Sequence, residues 1–297
     1  MKINSLENVS QNDLRELQLK ELEILIHLRD ICLENDLSLF LAGGSMIGAV
    51  RNQGFIPWDD DVDCFMLRKD YEKLTNEWDK LNQNEKYSLC RTNQTENYHH
   101  TAMTVKDNTT TFINSHSVDN DINHGISIDI IPIDVVPRGR FSRIKQILAA
   151  MTFSVYNAQR VPNNKGGFLK VATKLLLVVI PGQRLRYKIW KKAESMMSQW
   201  SWDEGDYLVE LVTGPKAILR KLEKRWFAKS EMVLFEQEQM PVPIGYKEYL
   251  ALIFGDYMTE PPKSEQVPKH DIVCVDTETS YTAYKGKYYK VKEGGHL

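Results

Sequence analysis

Cysteine is scarce in this chain, with only Cys32, Cys64, Cys90 and Cys274 among 297 residues, and none lies in a CxxC pair or at zinc-ligand spacing from a histidine. That excludes a disulfide scaffold and a structural zinc site, and predicts four reduced thiols. No run of about 18 apolar residues occurs, so no bilayer-spanning helix is expected. The N-terminal residues lack the basic and then apolar layout of a signal peptide, and no linker rich in Pro, Gly and Ser divides the chain. These absences predict a cytoplasmic protein folded as a single domain, 1–297, ample for a buried core.

Acidic residues are missing altogether from Val135 through Ala193, where 13 Lys or Arg accumulate. The net charge is −2, yet elsewhere 25 basic residues stand against 40 acidic ones. A basic block inside an acidic chain is a field directed at something anionic. It carries no RNA-binding aromatic motif and no DNA-reading module, so nucleic acid is not expected. Helical patterns near 142–159, 167–179 and 184–200, broken by Pro162 and Pro181-Gly182, mark a basic helical insertion at about 138–200. Its LLLVVI run (175–180) is too short to span a membrane. The insertion either lies on an anionic membrane surface, or forms a core helix with solvated basic edges.

What is abundant is concentrated between Leu39 and Met66, LFLAGGSMIGAVRNQGFIPWDDDVDCFM. An apolar run reads as a strand, Gly43-Gly44-Ser45 as a turn, and the residues to Arg51 as a short amphipathic helix. A second strand is expected to open on Asp59, Asp60, Asp61 and Asp63. Alternation along it puts Asp59, Asp61 and Asp63 on one face, with Asp60 and Val62 on the other. Three carboxylates on one face repel unless a cation lies between them. Hard divalent cations with oxygen ligands, Mg²⁺ or Mn²⁺, suit such a cluster, with substrate phosphates completing the shell. Glycines let backbone approach a phosphate closely, and Ser45 is placed to cap a helix whose first N–H groups attract an anion. Arg51 either complements the helix dipole or grips a phosphate. Trp58 is either a core plug or an aromatic wall for a nucleobase or quaternary amine.

The flanking sequence fits an α+β fold. Ser10 and Asp13 stand at capping-box spacing before a helical stripe of Leu14, Leu17, Leu22, Leu25, Leu28 and Cys32, with His27 on the solvent side. Residues 68–81 read as an amphipathic helix, and short strands are expected at 87–90, 101–106, 110–113 and 126–133. Asp129 alternates away from Ile128 and Ile130, as a third carboxylate reaching Asp61 and Asp63 requires. Asp134, past Pro132, reads as a turn residue. A strand or hairpin is expected at 232–243, then a helix from Tyr246 to Phe254 closed by Gly255. The tail from Tyr281 has no assigned role.

GGSMIGAVRNQGFIPWDDDVD resembles the signature of the LicD family, which is similar to fukutin and fukutin-related protein. Further resemblances lie in HGISIDIIPID (124–134), the Lys106 segment, and FGDYM with the following Pro261-Pro262. The family implies a nucleotidyltransferase-like mixed β-sheet flanked by helices. By their charge and alternation, Asp59, Asp61, Asp63 and Asp129 are expected to hold the Mg²⁺ (or Mn²⁺), with Asp61, Asp63 and Asp129 catalytic. The family has a Lys where Lys106 stands, so Lys106 either holds a nucleotide phosphate or is a surface lysine. His270 matches a family His, or is an exposed loop residue. The activity implied is transfer of phosphocholine from a CDP-activated donor, CDP-choline, to a sugar hydroxyl of a lipid-linked or cell-wall glycan or teichoic acid precursor, releasing CMP. Such work belongs at the inner face of the plasma membrane. Phosphoethanolamine, phosphoribitol or phosphoglycerol transfer, nucleotidyl transfer, and a non-catalytic membrane-surface binding module are the alternatives.

Overall fold

Ser10 starts the first helix, α1 (Gln11–Glu34), its hydroxyl accepting the Asp13 N–H at 3.1 Å. The expected stripe packs inward: Leu14, Leu17, Leu25, Leu28 and Cys32 are buried, joined by Ile24 and Ile31. Two polar residues, Gln18 and Glu21, lie on the same buried stripe. His27 does not face solvent freely; it stacks on Tyr87 at 4.5 Å and hydrogen-bonds Asn82 Oδ1 at 2.9 Å.

The protein is described by a computed structural model over residues 2–3, 9–159, 180 and 182–290. The helix expected over 167–179, and the LLLVVI run up to 179, lie outside the described residues. The strands, in chain order, are β1 (Lys2–Ile3), β2 (Phe40–Leu41), β3 (Asp63–Leu67), β4 (Tyr87–Cys90), β5 (Met103–Asp107), β6 (Thr111–Asn114), β7 (Ser127–Val136), β8 (Tyr207–Glu210), β9 (Leu222–Glu223), β10 (Ser230–Phe235), β11 (Glu238–Pro243) and β12 (Ile272–Asp276). The helices after α1 are α2 (Gly43–Ile47), α3 (Arg68–Leu81) and α4 (Arg140–Ala158), with later ones at Gln183–Met197 and Tyr246–Phe254. The fold is α+β, as expected.

Two units can be distinguished. The first comprises Met1–Cys90, Thr104–Ile130 and Arg225–Leu297; the second comprises Arg91–Met103 and Ile131–Lys224. In the first, the sheet order is β2-β3-β7-β5-β4, so β7 lies between the strand that follows the acidic run and the strand that carries Lys106. β2 and β3 pair antiparallel, Phe40 opposite Phe65, and both rings meet Phe227 edge-on, with Tyr249 set edge-on against Phe65. Such aromatic contacts contribute about 0.5–1.5 kcal/mol beyond their burial. α3 spans the range expected. The segment 230–243 is a hairpin of β10 and β11. A smaller sheet, β1-β12-β6, gives the tail a structural part: Tyr284 and Tyr289 pack against Ile113 and Cys274. All four cysteines are free and buried, as expected.

In the second unit the end of β7 pairs with β8, and β8 with β9. Asp134 lies inside this pairing, buried and opposite Val209, which corrects its reading as a turn residue. Pro132 does not end the strand, which runs on to Val136. α4 packs on the Gln183–Met197 helix through Phe153 and Trp190, 5.8 Å apart and T-shaped. The buried Gln146 amide donates to Val135 O and Met197 O, at 2.8 and 2.9 Å.

Candidate active site

After β2 the Ala42 N–H donates to Asp63 O at 2.9 Å, which registers the glycine turn against the start of β3. Gly43 adopts φ +48, in the left-handed region that glycine tolerates best. A Cβ on Gly44 would lie 2.6 Å from Asp59 Oδ2, so any larger residue there must displace that carboxylate. Ser45 does not cap the helix. α2 begins at Gly43 with Ala42 before it, and the buried Ser45 hydroxyl instead accepts the Asp63 N–H at 3.0 Å. The helical turn closes two residues earlier than expected, which points the serine at β3.

The second strand begins only at Asp63, not at Asp59. Gln18, reaching from α1, donates to Ile56 O at 3.2 Å and Asp59 O at 2.9 Å. Asp59 N–H turns back to Ile56 O, and these bonds keep the acidic run out of the strand ladder. The expected division of faces still holds: Asp60 and Val62 are buried, while Asp59, Asp61 and Asp63 are half-buried.

Asp59, Asp60 and Asp61 each offer a carboxylate oxygen within 4.8 Å of the others. Asp60 is turned toward the chain at 269–270, accepting N–H groups of Lys269 and His270 at 3.2 and 3.1 Å, with His270 Nδ1 at 3.2 Å. Burial alone would raise Asp60, but the His270 bond and charge outweigh it, and the carboxyl titrates below its usual range. The same bond, opposed by burial and aided by Asp61 and Asp129, raises His270 to about 9. Asp59 is pushed up to about 7, first by burial and then by Asp61 and Asp60. Burial, followed by Asp61, Asp129 and Asp59, holds Asp63 well above the carboxylate range.

Asp129 enters from the adjacent strand. Ile128 and Ile130 are fully buried, Asp129 between them is half-buried, and its N–H donates to Val62 O at 2.9 Å. Lys106 follows on β5, half-buried, its ammonium 3.4 Å from both Gly125 O and Ser127 Oγ. Burial lowers its pKa against the charges of Cys90 and Asp129. Arg51 forms a separate group: it donates to Tyr257 O at 3.1 Å, within the FGDYM segment, and lies 5.9 Å from the half-buried Trp58 ring.

Sequence reasoning missed Glu21. It is 2% exposed, its Oε2 finds no hydrogen-bond partner among the described residues, and burial, reinforced by Asp61, Asp60, Asp59 and Asp129, holds it well above the carboxylate range. Its signal was position: residue 21 falls one turn from both Leu17 and Leu25, on the buried stripe. Asp60, read only as the off-face residue, and Gln18 were missed as the fasteners of the acidic run.

Like charges gathered this closely disfavour ionisation of one another. Oxygen-only donors of this kind suit a hard divalent cation; of the three whose oxygens lie close enough to share one, Asp60 is already engaged by residues 269–270, which leaves Asp59 and Asp61 to face it.

Over 273 residues the chain is 28% identical to the lipopolysaccharide cholinephosphotransferase LicD of Haemophilus influenzae, an alignment covering 86% of this chain and 96% of that protein. Residues 36–138 match the LicD/FKTN/FKRP nucleotidyltransferase domain. That interval contains the glycine turn, the acidic run, Lys106 and Asp129, so the similarity to that domain falls on the residues gathered at this site.

Proposed function

We propose that this protein is a Mg²⁺- or Mn²⁺-dependent phosphotransferase that moves phosphocholine from CDP-choline to a sugar hydroxyl of a cell-surface glycan precursor, releasing CMP. The observation that carries the reading is the carboxylate cluster of Asp59, Asp60 and Asp61 against the Gly43-Gly44 turn, with Asp63 opening the next strand and Asp129 bonded through its N–H to Val62 O beside it. The similarity to a cholinephosphotransferase supports the head group. A bound divalent cation would neutralise charge on the transferring phosphoryl group.

The chain's own residues supply the rest. Asp129, beside the acidic run on a neighbouring strand, takes the acceptor hydroxyl's proton as the new P–O bond forms. The bond from that phosphorus to the bridging oxygen breaks, and its electron pair leaves with CMP. His270, kept protonated by Asp60, offers a positive charge to the donor's phosphates, and Lys106 offers another beside Asp129. Trp58 and Arg51 form the polar-aromatic surface suited to the cytosine or the choline. Residues 43–45 hold the backbone close to the phosphates.

The test is to incubate the protein with head-group-labelled CDP-choline, Mg²⁺ and a lipid-linked glycan acceptor. Labelled glycan with stoichiometric CMP is expected. Preferred use of CDP-ethanolamine, CDP-ribitol or CDP-glycerol would correct the head group, and pyrophosphate release from CTP would replace the reading with nucleotidyl transfer.

A further inference from the structure

The second unit exposes what a folded protein ordinarily hides. On α4, Phe141 is 84% exposed, Ile144 52%, Leu148 59% and Met151 47%. Their spacing of three, four and three residues puts them on one stripe of the helix, while Ala149, Ala150 and Phe153 are buried on the other side. At 100° per residue, Arg140 and Lys145, both exposed, flank the two edges of that stripe. The Gln183–Met197 helix continues the pattern with Leu185 and Met196, 49% and 39% exposed. An open groove of about 340 Å³ joins the helices, lined by Leu148, Thr152 and Lys145 from one and Ile189, Met196 and Lys192 from the other.

We propose that this face docks on an anionic lipid bilayer. An apolar stripe alone names no partner, but the two helices that carry this one expose lysines and arginines and no carboxylate. From Val135 through Ala193 no carboxylate interrupts the lysines and arginines, and the next acid, Glu194, is buried against Arg91 and Lys191. A protein partner would have to match an apolar ridge whose own helices expose cations alone. A leaflet bearing acidic headgroups over an acyl interior presents both complements at once, and amphipathic helices of this composition lie in that interface. Phe141 and Leu148 insert between headgroups, while Arg140, Lys145, Arg184 and Lys192 stay at the phosphate level. The inference does not depend on the reaction proposed above, since none of these side chains belongs to the carboxylate site.

Sedimentation of the full chain with vesicles tests it. Phosphatidylcholine vesicles containing phosphatidylglycerol should carry the protein down, pure phosphatidylcholine should not, and salt should release it, since surface attraction is screened over about 8 Å at physiological ionic strength. The double variant Phe141→Ser, Leu148→Ser should weaken binding roughly tenfold or more through lost apolar insertion, with far-UV circular dichroism and turnover of a soluble acceptor unchanged. Both positions are exposed, so the fold does not depend on them; Lys145→Glu with Lys192→Glu gives a second, purely electrostatic loss. Equal binding to neutral vesicles, no binding to either, or wild-type binding by both double variants would overturn the proposal. A face already occupied by a second copy of the chain would appear as no binding to either.

Discussion

The two units handle charge in opposite ways. The first draws acidic side chains inward, onto one turn and two strand starts, where they raise one another's proton affinity. The second spreads basic side chains over its surface, with Arg140, Lys145, Arg184, Lys188 and Lys192 all exposed to solvent. Buried like charges persist only when something compensates them, whereas exposed charges need no compensation. The acidic site therefore announces a ligand through its charges, and the helix pair through its uncovered apolar residues.

The sharpest way to break this contrast is to neutralise the site. Asp61→Asn and Asp63→Asn should each bring turnover to background, a loss on the order of 10⁴-fold, because several kcal/mol of transition-state charge stabilisation goes with the metal. Folding should survive, since repulsion is relieved. Full activity at saturating Mg²⁺ in either variant would remove these residues from the site. Asp129→Asn should lose about 10²- to 10⁴-fold, and the loss should persist at any Mg²⁺ concentration if the group takes the acceptor's proton. Recovery of wild-type turnover on raising Mg²⁺ would demote Asp129 to a ligand.

A pH titration of stability sharpens the comparison further. Asp59 has its folded value near 7, against about 3.8 when unfolded, so the folded chain keeps a proton that the unfolded chain releases between these limits. Stability from this group is present below pH 4 and is lost as pH rises through 7. In chelator, melting temperature should fall by about 3–6 °C across that window, and Mg²⁺ should restore it at pH 7.5 but not at pH 4.5. A melting temperature indifferent to Mg²⁺ at both values would contradict the compensation. The smallest effect is expected from Gly44→Ala, whose methyl must displace the Asp59 carboxylate; overpacking of this kind costs about 1–3 kcal/mol when nothing yields. Because the carboxylate can rotate, the variant should fold while binding Mg²⁺ more weakly, and unchanged metal affinity would show that Asp59 is not a ligand.

Much of this was legible in the chain. The glycine turn, the aspartates and the isoleucines around Asp129 carry periodicity and residue type together, and these specify local structure strongly. Less legible were features decided by tertiary contacts. Period two cannot say where an extended loop becomes a paired strand, so Gln18's hold on Ile56 and Asp59, which delays β3 to Asp63, left no local trace. Ser45 is a capping residue by type, but its hydroxyl is used by a strand eighteen positions away. Glu21 was passed over because a carboxylate on an apolar stripe looks solvated until the stripe is seen to meet the acidic run. Asp134 was misread because Pro132 suggested a break that the strand does not make. On the helix pair, the sequence showed the basic charge but not that Phe141, Ile144 and Leu148 remain uncovered.

The most direct measurement is a Mn²⁺ titration of the purified protein at pH 7.5, followed by electron paramagnetic resonance with and without CMP. Saturable binding by the wild type, weakened at least about tenfold in Asp61→Asn and Asp63→Asn as carboxylate ligands are lost, is the expected result. Absence of saturable binding in the wild type under both conditions, or equal affinity in the variants, would contradict the assignment of the acidic run as a metal site.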